Sequence, residues 1–107
     1  MTKDKYEDAM QIILHAGNAK SAALLAIDAA AEGDFEEADR QLEEAGREMA
    51  EAHHVQFGLT KAEASGEPVD LNIILIHAED HLTMAIMAND LASRFIDLYK
   101  REAGIAA

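Results

Sequence analysis

The chain has no cysteine and a single proline, and both scarcities limit what the protein can be. Without cysteine there is no disulfide framework, no thiolate metal site and no cysteine nucleophile, which fits a reducing compartment. Helix breakers fall in only two places, Gly33-Asp34 and Ser65-Gly66-Glu67-Pro68. Strong helix formers, rich in alanine, fill the stretches between them. The sequence therefore predicts an all-α protein of three long helices, forming one domain over residues 1–107.

Basic residues are also scarce, with 9 Lys and Arg against 21 Asp and Glu and a net charge of −12. Proteins that bind nucleic acid use arrays of Lys and Arg to displace the counterions of the phosphate backbone. We therefore expect no nucleic-acid partner. A metal cation or a basic protein surface is the more natural complement to so acidic a chain.

Long apolar runs are absent as well. The most apolar stretch, residues 22–31, is interrupted by Asp28 and is shorter than the roughly 20 residues that a membrane-spanning helix needs. The first eight residues are rich in charged side chains and lack the apolar core of an export signal. We expect a soluble cytoplasmic protein with no direct membrane insertion.

Local signals mark the helix ends. Gly33 is a stop signal for helix 1. Asp34 can cap helix 2, with Glu37 at the capping-box spacing. Asp70 is the expected start of helix 3, with Pro68 just outside it. The predicted helices cover about residues 4–31, 34–64 and 70–102 of an antiparallel three-helix bundle. The core stripe of helix 1 is expected at Tyr6, Met10, Ile13, Gly17, Leu24 and Ala31.

Helix 3 carries two apolar stripes where a three-helix monomer needs one. The stripe that completes the bundle is Leu71, Leu75, Ala78, Leu82, Ala85, Ala92, Ile96 and Tyr99. The second stripe, on another side of the helix, is Ile73, His77, Asp80, Met84, Met87, Leu91 and Leu98. An apolar patch of that length left in water usually marks an interface. We expect self-association through helix 3, most simply as a closed cyclic assembly.

The second stripe includes a dense polar cluster, with two imidazoles and two carboxylates within residues 77–81. Burying even one neutral polar group without a partner costs roughly 2–7 kcal/mol, so four together on an apolar helix indicate a function. His77, Asp80 and His81 are three and four residues apart and project in neighbouring directions. Glu79 points elsewhere and is expected to be solvated. The remaining histidines, His15, His53 and His54, are expected to be packing or surface residues.

Three interpretations of the cluster are open. An imidazole could be a nucleophile that receives a phosphoryl group and passes it on, because neutral histidine is abundant near pH 7. His77, Asp80 and His81 could instead be metal ligands, although the spacing is not the His-Glu-x-x-His zinc pattern. The cluster could also be structural and set the register of an oligomer.

Asp80 bears most directly on assembly. If copies of the second stripe meet around a symmetry axis, one carboxylate from each subunit converges there. Like charges at that distance must take up protons or share a cation. Hard oxygen ligands favour Mg²⁺ or a similar ion.

Five short motifs occur in a fixed order along the chain. They are His15-Ala16-Gly17-Asn18-Ala19-Lys20-Ser21, Gly33-Asp34-Phe35, Glu51-Ala52-His53, Ala64-Ser65-Gly66-Glu67 and Ile76-His77-Ala78-Glu79-Asp80-His81-Leu82. In motif order and helix length the chain resembles the lactose/cellobiose-type IIA component of the bacterial phosphoenolpyruvate-dependent sugar phosphotransferase system. The resemblance extends from about Asp4 to Glu102.

The resemblance implies a homotrimer that forms a nine-helix bundle. It implies that His77 accepts phosphoryl from the phosphocarrier HPr and hands it to a cysteine of the IIB component, which phosphorylates an incoming lactose-, cellobiose- or chitobiose-type sugar. Asp80 falls on the family's metal-binding aspartate, which implies one divalent ion, Mg²⁺ by its oxygen ligands, per trimer. His81 matches the motif and is a possible donor to the phosphoryl oxygens. The alternative is a non-enzymatic helical oligomer, or a metal-binding bundle, with a structural His/Asp cluster.

Overall fold

The computed structural model describes residues 6–105, which fold as three helices with no strand in that range. They are α1 (Glu7–Ala31), α2 (Phe35–Ala64) and α3 (Ile73–Glu102). Short connections make neighbouring helices antiparallel, and the bundle measures 55 × 22 × 21 Å. The prediction of an all-α three-helix bundle is confirmed, while the predicted first residues of helix 1, Asp4 and Lys5, lie outside the described residues. Within residues 6–105, no helix combines the length and apolarity needed to cross a membrane.

The turn between α1 and α2 follows the sequence signals. Gly33 has a φ of 82°, a left-handed conformation that glycine adopts without steric cost and that ends a helix. The Oδ1 atom of Asp34 accepts the Glu37 backbone N–H at 3.1 Å. The Asp34 N–H donates to the Ala29 carbonyl oxygen at 2.9 Å, so it is not available to the Glu37 side chain. That carboxylate pairs with Arg40 instead, and only half of the capping box forms.

The start of α3 differs from the prediction. Asp70 does not begin the helix, because Asn72 is still extended, with φ −139° and ψ 169°. Asn72 is the cap, and its Oδ1 atom accepts the Leu75 backbone N–H at 2.9 Å. Asp70 steadies this cap by accepting from the Asn72 amide at 3.2 Å. The helix therefore starts at Ile73.

Alanine dominates the core, and this changes which face of α1 is buried. The buried residues of α1 are Ala9, Ile12, Ala16, Ala19, Ala22, Ala23, Ala26, Ala29 and Ala30. Met10 and Leu24, which the sequence places on the core stripe, are 52 % and 50 % exposed. Closely packed helices need small side chains between them, because interiors are dense and leave no room for larger ones. The predicted core stripe of α1 was therefore wrong.

The core stripe of α3 is largely as predicted. Leu75, Leu82 and Ile96 are buried, together with the alanines between them. Leu71 is the exception at 75 % exposed, because it precedes the Asn72 cap and does not share the helical face. Asn89 also lies on this stripe, and its Oδ1 atom is buried without a hydrogen-bond partner among the described residues.

The opposite side of α3 is an exposed apolar surface, which we call the α3 outer face. It consists of Ile73, Ile76, Met84, Met87, Leu91, Phe95 and Leu98, all exposed in the single chain. The sequence predicted that this stripe is left over from the bundle core, and the structure agrees. His77 and Asp80 lie within it and are exposed as well.

Candidate functional site

The two histidines of the cluster contact each other directly. His77 and His81 are one helical turn apart, and their Nε2 atoms are 3.0 Å from each other. The ring centroids are 4.4 Å apart and the ring planes are nearly perpendicular, at 88°. The His77 ring is exposed and the His81 ring is half-buried. The spacing that the sequence predicted therefore brings both imidazoles into one site.

The hydrogen bond between these rings defines their chemistry. An Nε2 atom either carries a proton and donates, or holds a lone pair and accepts. Because the contact joins Nε2 to Nε2, one ring donates and the other presents its lone pair. The pair thus combines a nucleophilic nitrogen with an N–H donor at hydrogen-bonding distance, on an exposed helix surface.

Asp80 lies one turn from His77 on the α3 outer face. It is exposed, and within residues 6–105 it has no hydrogen bond or ion pair. The described part of the chain contains no group of three His, Cys, Asp or Glu residues that could hold a metal ion. His77, Asp80 and His81 of one chain therefore do not form a metal centre. Asp80 supplies a single hard oxygen ligand, which suits a divalent ion only when other molecules supply the rest.

The expectation that Glu79 is solvated was wrong. It is half-buried rather than solvated, and its Oε2 atom accepts a hydrogen bond from Gln56 Nε2 at 2.8 Å. This bond ties α2 to α3 at the level of the histidine pair. Gln56 follows the buried residues Met49 and Ala52 of α2 at helical spacings of seven and four, and a polar residue at such a position was the signal that a hydrogen-bond partner on a neighbouring helix should exist.

The other histidines lie away from the site, as expected. His53 and His54 are exposed on α2. His15 Nδ1 is 2.5 Å from Glu48 Oε2, and this pair joins α1 to α2. Asn18 donates to the other oxygen of the same carboxylate at 3.4 Å. None of these contacts involves His77 or His81.

The sequence did not predict a cleft that lies where the loop after α2 meets α3, and neither histidine of the pair is among its lining residues. It occupies about 290 Å³ between the end of α2, the following loop and the start of α3. We call it the loop cleft, and it is lined by Leu59, Thr60, Glu63, Val69, Leu71, Leu75, Ile76, Glu79 and Asp80. Ile76, which directly precedes His77, and Glu79, two residues after it, are the lining residues nearest to His77 in sequence. The apolar residues around Pro68 were the available signal, but only the tertiary fold brings them against α2.

The described residues thus form three antiparallel helices, with two imidazoles in contact on the third. The chain belongs to the family of PTS system, lactose/cellobiose specific IIA subunits, whose model matches residues 7–100. The resemblance noted from the motifs is thereby confirmed.

Individual relatives agree with this assignment. The chain is 42 % identical over 101 residues to the lichenan-specific phosphotransferase enzyme IIA component of Bacillus subtilis, covering 94 % of this chain and 92 % of the relative. The crystal structure of the PTS cellobiose specific enzyme IIA from Bacillus anthracis is similar with a TM-score of 0.92 and 41 % identity, over 97 % of this chain and 95 % of the other. The IIA(Chitobiose) chain solved in complex with HPr from Escherichia coli has a TM-score of 0.81 and 29 % identity, over 95 % of this chain and 99 % of the other.

Proposed function

We propose that this chain is a cytoplasmic phosphohistidine carrier, which accepts phosphoryl from phospho-HPr on His77 and passes it to a cysteine of a IIB component. The downstream product is a phosphorylated lactose-, cellobiose- or chitobiose-type sugar. The observation that carries the proposal is an exposed His77 Nε2 atom 3.0 Å from a second imidazole nitrogen. Membership of the IIA family and a relative solved with HPr support the choice of donor.

Few residues of the chain need to take part in the transfer. As the donor approaches, the hydrogen bond from His81 to His77 Nε2 opens, and the freed lone pair on His77 Nε2 attacks the phosphorus in line with the bond that breaks. The bond between phosphorus and HPr breaks as the N–P bond to His77 forms, and the electron pair of the broken bond stays on HPr. Positioning and electrostatic stabilisation supply most of the acceleration in such a loose transfer.

His81 suits the role of a donor to the moving phosphoryl group. Its Nε2 atom lies 3.0 Å from His77 Nε2, so in the tautomer with the proton on His81 Nε2 the N–H lies next to the oxygens of a phosphoryl group bound to His77. A hydrogen bond aimed at charge that develops in the transition state is worth more than one made equally in the ground state.

Replacing His81 by Leu should lower kcat for phosphoryl acceptance by about ten- to a hundredfold, because an aimed donor is lost. The KM for phospho-HPr should stay within about twofold, since the half-buried ring offers little contact surface. Rapid-quench kinetics with phosphorylated HPr measures both constants. His81→Gln, whose amide can still donate, should keep more of kcat than His81→Leu. An unchanged kcat in both variants would refute the donor role.

The α3 outer face supports a further part of the proposal, a homotrimer in which nine helices form one bundle. Seven large apolar residues exposed along one helix are buried if α3 packs on copies of itself. Asp80 would then face its two symmetry mates, while His77, at the edge of the α3 outer face on the side of His81, would lie at the seam between copies and stay open to phospho-HPr. A divalent cation such as Mg²⁺, held by three carboxylates, would offset their repulsion.

Substituting Asp80 by Leu tests this assignment. The variant should lose the bound metal, measured by inductively coupled plasma mass spectrometry after gel filtration. The assembly should persist or unfold at a higher temperature, because apolar groups often match or exceed buried charges in stability. Asp80→Asn, which keeps the shape but not the charge, is the matched control and should also lose metal. Unchanged metal content in the Leu variant would remove Asp80 from the site.

Radiolabelling tests the proposed function as a whole. Incubation with labelled phosphoenolpyruvate, enzyme I and HPr should place an acid-labile, base-stable phosphate on the chain. Tandem mass spectrometry under alkaline conditions should locate it on His77. A structural helical oligomer would remain unlabelled under the same conditions.

A further inference from the structure

We infer that His77 and His81 together chelate a first-row transition-metal dication, Cu²⁺ most tightly, and that the bound metal blocks phosphoryl acceptance. The chelate follows from the geometry of the two rings alone. The blocking effect rests on the proposed function, because it takes His77 as the phosphoryl acceptor. The ligand atoms are imidazole nitrogens, so this site is distinct from the oxygen site proposed at Asp80.

The two histidines have the spacing of a chelating pair. Histidines four residues apart share one face of a helix, and the His-Glu-x-x-His motif binds zinc through such a pair. His77 and His81 have the same separation, although the glutamate of that motif is not in its usual place. Within residues 6–105, neither ring has a hydrogen-bond partner other than the opposite ring. Both rings are therefore available to a metal that reaches this surface.

The distance between the two Nε2 atoms favours right-angled coordination. At a metal–nitrogen distance of roughly 2.05 Å, two nitrogens are about 2.9 Å apart at a right angle and about 3.3 Å apart at the tetrahedral angle. The observed separation is 3.0 Å. Tetragonal sites with nitrogen and oxygen ligands are typical of Cu²⁺ and Ni²⁺, and a given site generally binds Cu²⁺ more tightly than Ni²⁺ or Zn²⁺. The pair therefore suits Cu²⁺ best.

Binding a metal requires one proton to change place. The hydrogen bond between the rings uses the proton of one Nε2 atom. When that proton moves to Nδ1 of the same ring, the imidazole stays neutral and both Nε2 lone pairs can bind the metal. No proton is gained or lost overall. The described part of the chain has no group of three His, Cys, Asp or Glu residues that could hold a metal, so water supplies the remaining ligands of this two-histidine chelate.

The metal and the phosphoryl group compete for one atom. The proposed transfer uses the lone pair of His77 Nε2, and so does the chelate. A bound metal therefore prevents phosphoryl acceptance, and a phosphoryl group on His77 weakens metal binding, since coupling between two ligands is reciprocal. In the proposed trimer His77 lies at the seam between copies, so assembly leaves the pair accessible.

Titration with metal tests the chelate without any phosphoryl transfer. Isothermal titration calorimetry with CuCl₂, in excess Mg²⁺ to fill the oxygen site, should show one tight site per chain, and Ni²⁺ and Zn²⁺ should bind more weakly. His81→Gln should weaken Cu²⁺ binding by at least about tenfold, because losing a residue that only supports a ligand already costs about 10–100-fold. Electron paramagnetic resonance of the Cu²⁺ complex should show coupling to two nitrogens in the unaltered chain and to one in His81→Gln.

His53→Gln is the matched control for the titration. His53 is also exposed on a helix, but its histidine neighbour, His54, is adjacent in sequence and points in a different direction. These two rings cannot form the same chelate, so His53→Gln should bind Cu²⁺ with the affinity of the unaltered chain.

Acceptance from purified phospho-HPr tests the blocking effect. One equivalent of Cu²⁺ per chain should abolish most of the acceptance by the unaltered chain, whereas His81→Gln should lose little of its own metal-free rate. In the reverse experiment, the phosphorylated chain should bind Cu²⁺ at least about tenfold more weakly than the unphosphorylated chain, within the usual range of coupling between ligands.

The outcomes separate the chelate from the proposed function. Equal Cu²⁺ affinity in the unaltered chain and His81→Gln, or coupling to a single nitrogen in the unaltered chain, would overturn the chelate. Full acceptance by a chain that holds Cu²⁺ through two nitrogens would overturn the blocking effect. If the metal-free unaltered chain takes no phosphate from phospho-HPr, the proposed function fails and the blocking effect with it, while calorimetry and resonance still decide the chelate.

Discussion

His77→Ala should abolish phosphorylation of the chain by phospho-HPr, lowering acceptance by at least about a thousandfold, as expected when a covalent nucleophile is removed. The reason is geometric, because among residues 6–105 only His77 is an exposed histidine with a second imidazole nitrogen at hydrogen-bonding distance. His81 is half-buried and should not replace it. Labelling with phosphoenolpyruvate, enzyme I and HPr, followed by gel analysis at alkaline pH, measures the result.

The chain provides a matched control for this experiment. His54 is also an exposed helical histidine, and His54→Ala should be labelled to the same extent as the unaltered chain. Neither substitution removes a core contact, so circular dichroism and the melting temperature should be unchanged to within the small effect of a surface substitution. Full labelling of His77→Ala, or loss of labelling in His54→Ala, would place the nucleophile elsewhere.

Leu91→Asp should convert the proposed trimer into single chains, the second large effect we expect. Leu91 is 44 % exposed in the isolated chain, so the substitution leaves the bundle core intact. In a trimer, however, it would place three carboxylates in a poorly screened apolar interface, at a cost of several kcal/mol each. Analytical ultracentrifugation should show the mass falling from three chains to one chain of 11.6 kDa.

Ile105→Asp controls for the added charge, because Ile105 is similarly exposed but lies beyond the end of α3. That variant should keep the mass of the unaltered chain. Helical content should be retained in both variants, which separates loss of assembly from loss of fold. A Leu91→Asp protein that keeps the unaltered mass would show that the α3 outer face is not the interface. A single-chain mass for the unaltered protein would contradict the trimer directly.

Much of the candidate site was predictable from the sequence, because it lies on one helix. The positions of His77, Asp80 and His81 follow from the helical period alone, and the direct contact between the two rings is its consequence. Glu79 could not be placed in the same way. Its partner, Gln56, is 23 residues away, and only the packing of α2 against α3 brings the two side chains together.

In the fold, too, features that depend on neighbouring residues were predicted, and features that depend on contacts between helices were not. The turn at Gly33 and the cap at Asp34 depend on backbone geometry within a few residues, and the sequence predicts them correctly. The core face of α1 was misjudged, because Met10 and Leu24 are larger and more apolar than the alanines beside them. How closely two helices approach is a property of both helices, and it decides whether a small or a large side chain is buried.

By itself, the sequence determined the three helices, the unused apolar face of α3 and the placement of a histidine pair on that face. Periodicity, breakers and caps are local properties, and they suffice for such features. Only the tertiary structure decided that alanine fills the core, that Glu79 pairs with Gln56, and that Leu71 and Ile76 form a cleft with residues of α2. These features depend on which residues distant in the chain become neighbours, and no local pattern specifies that.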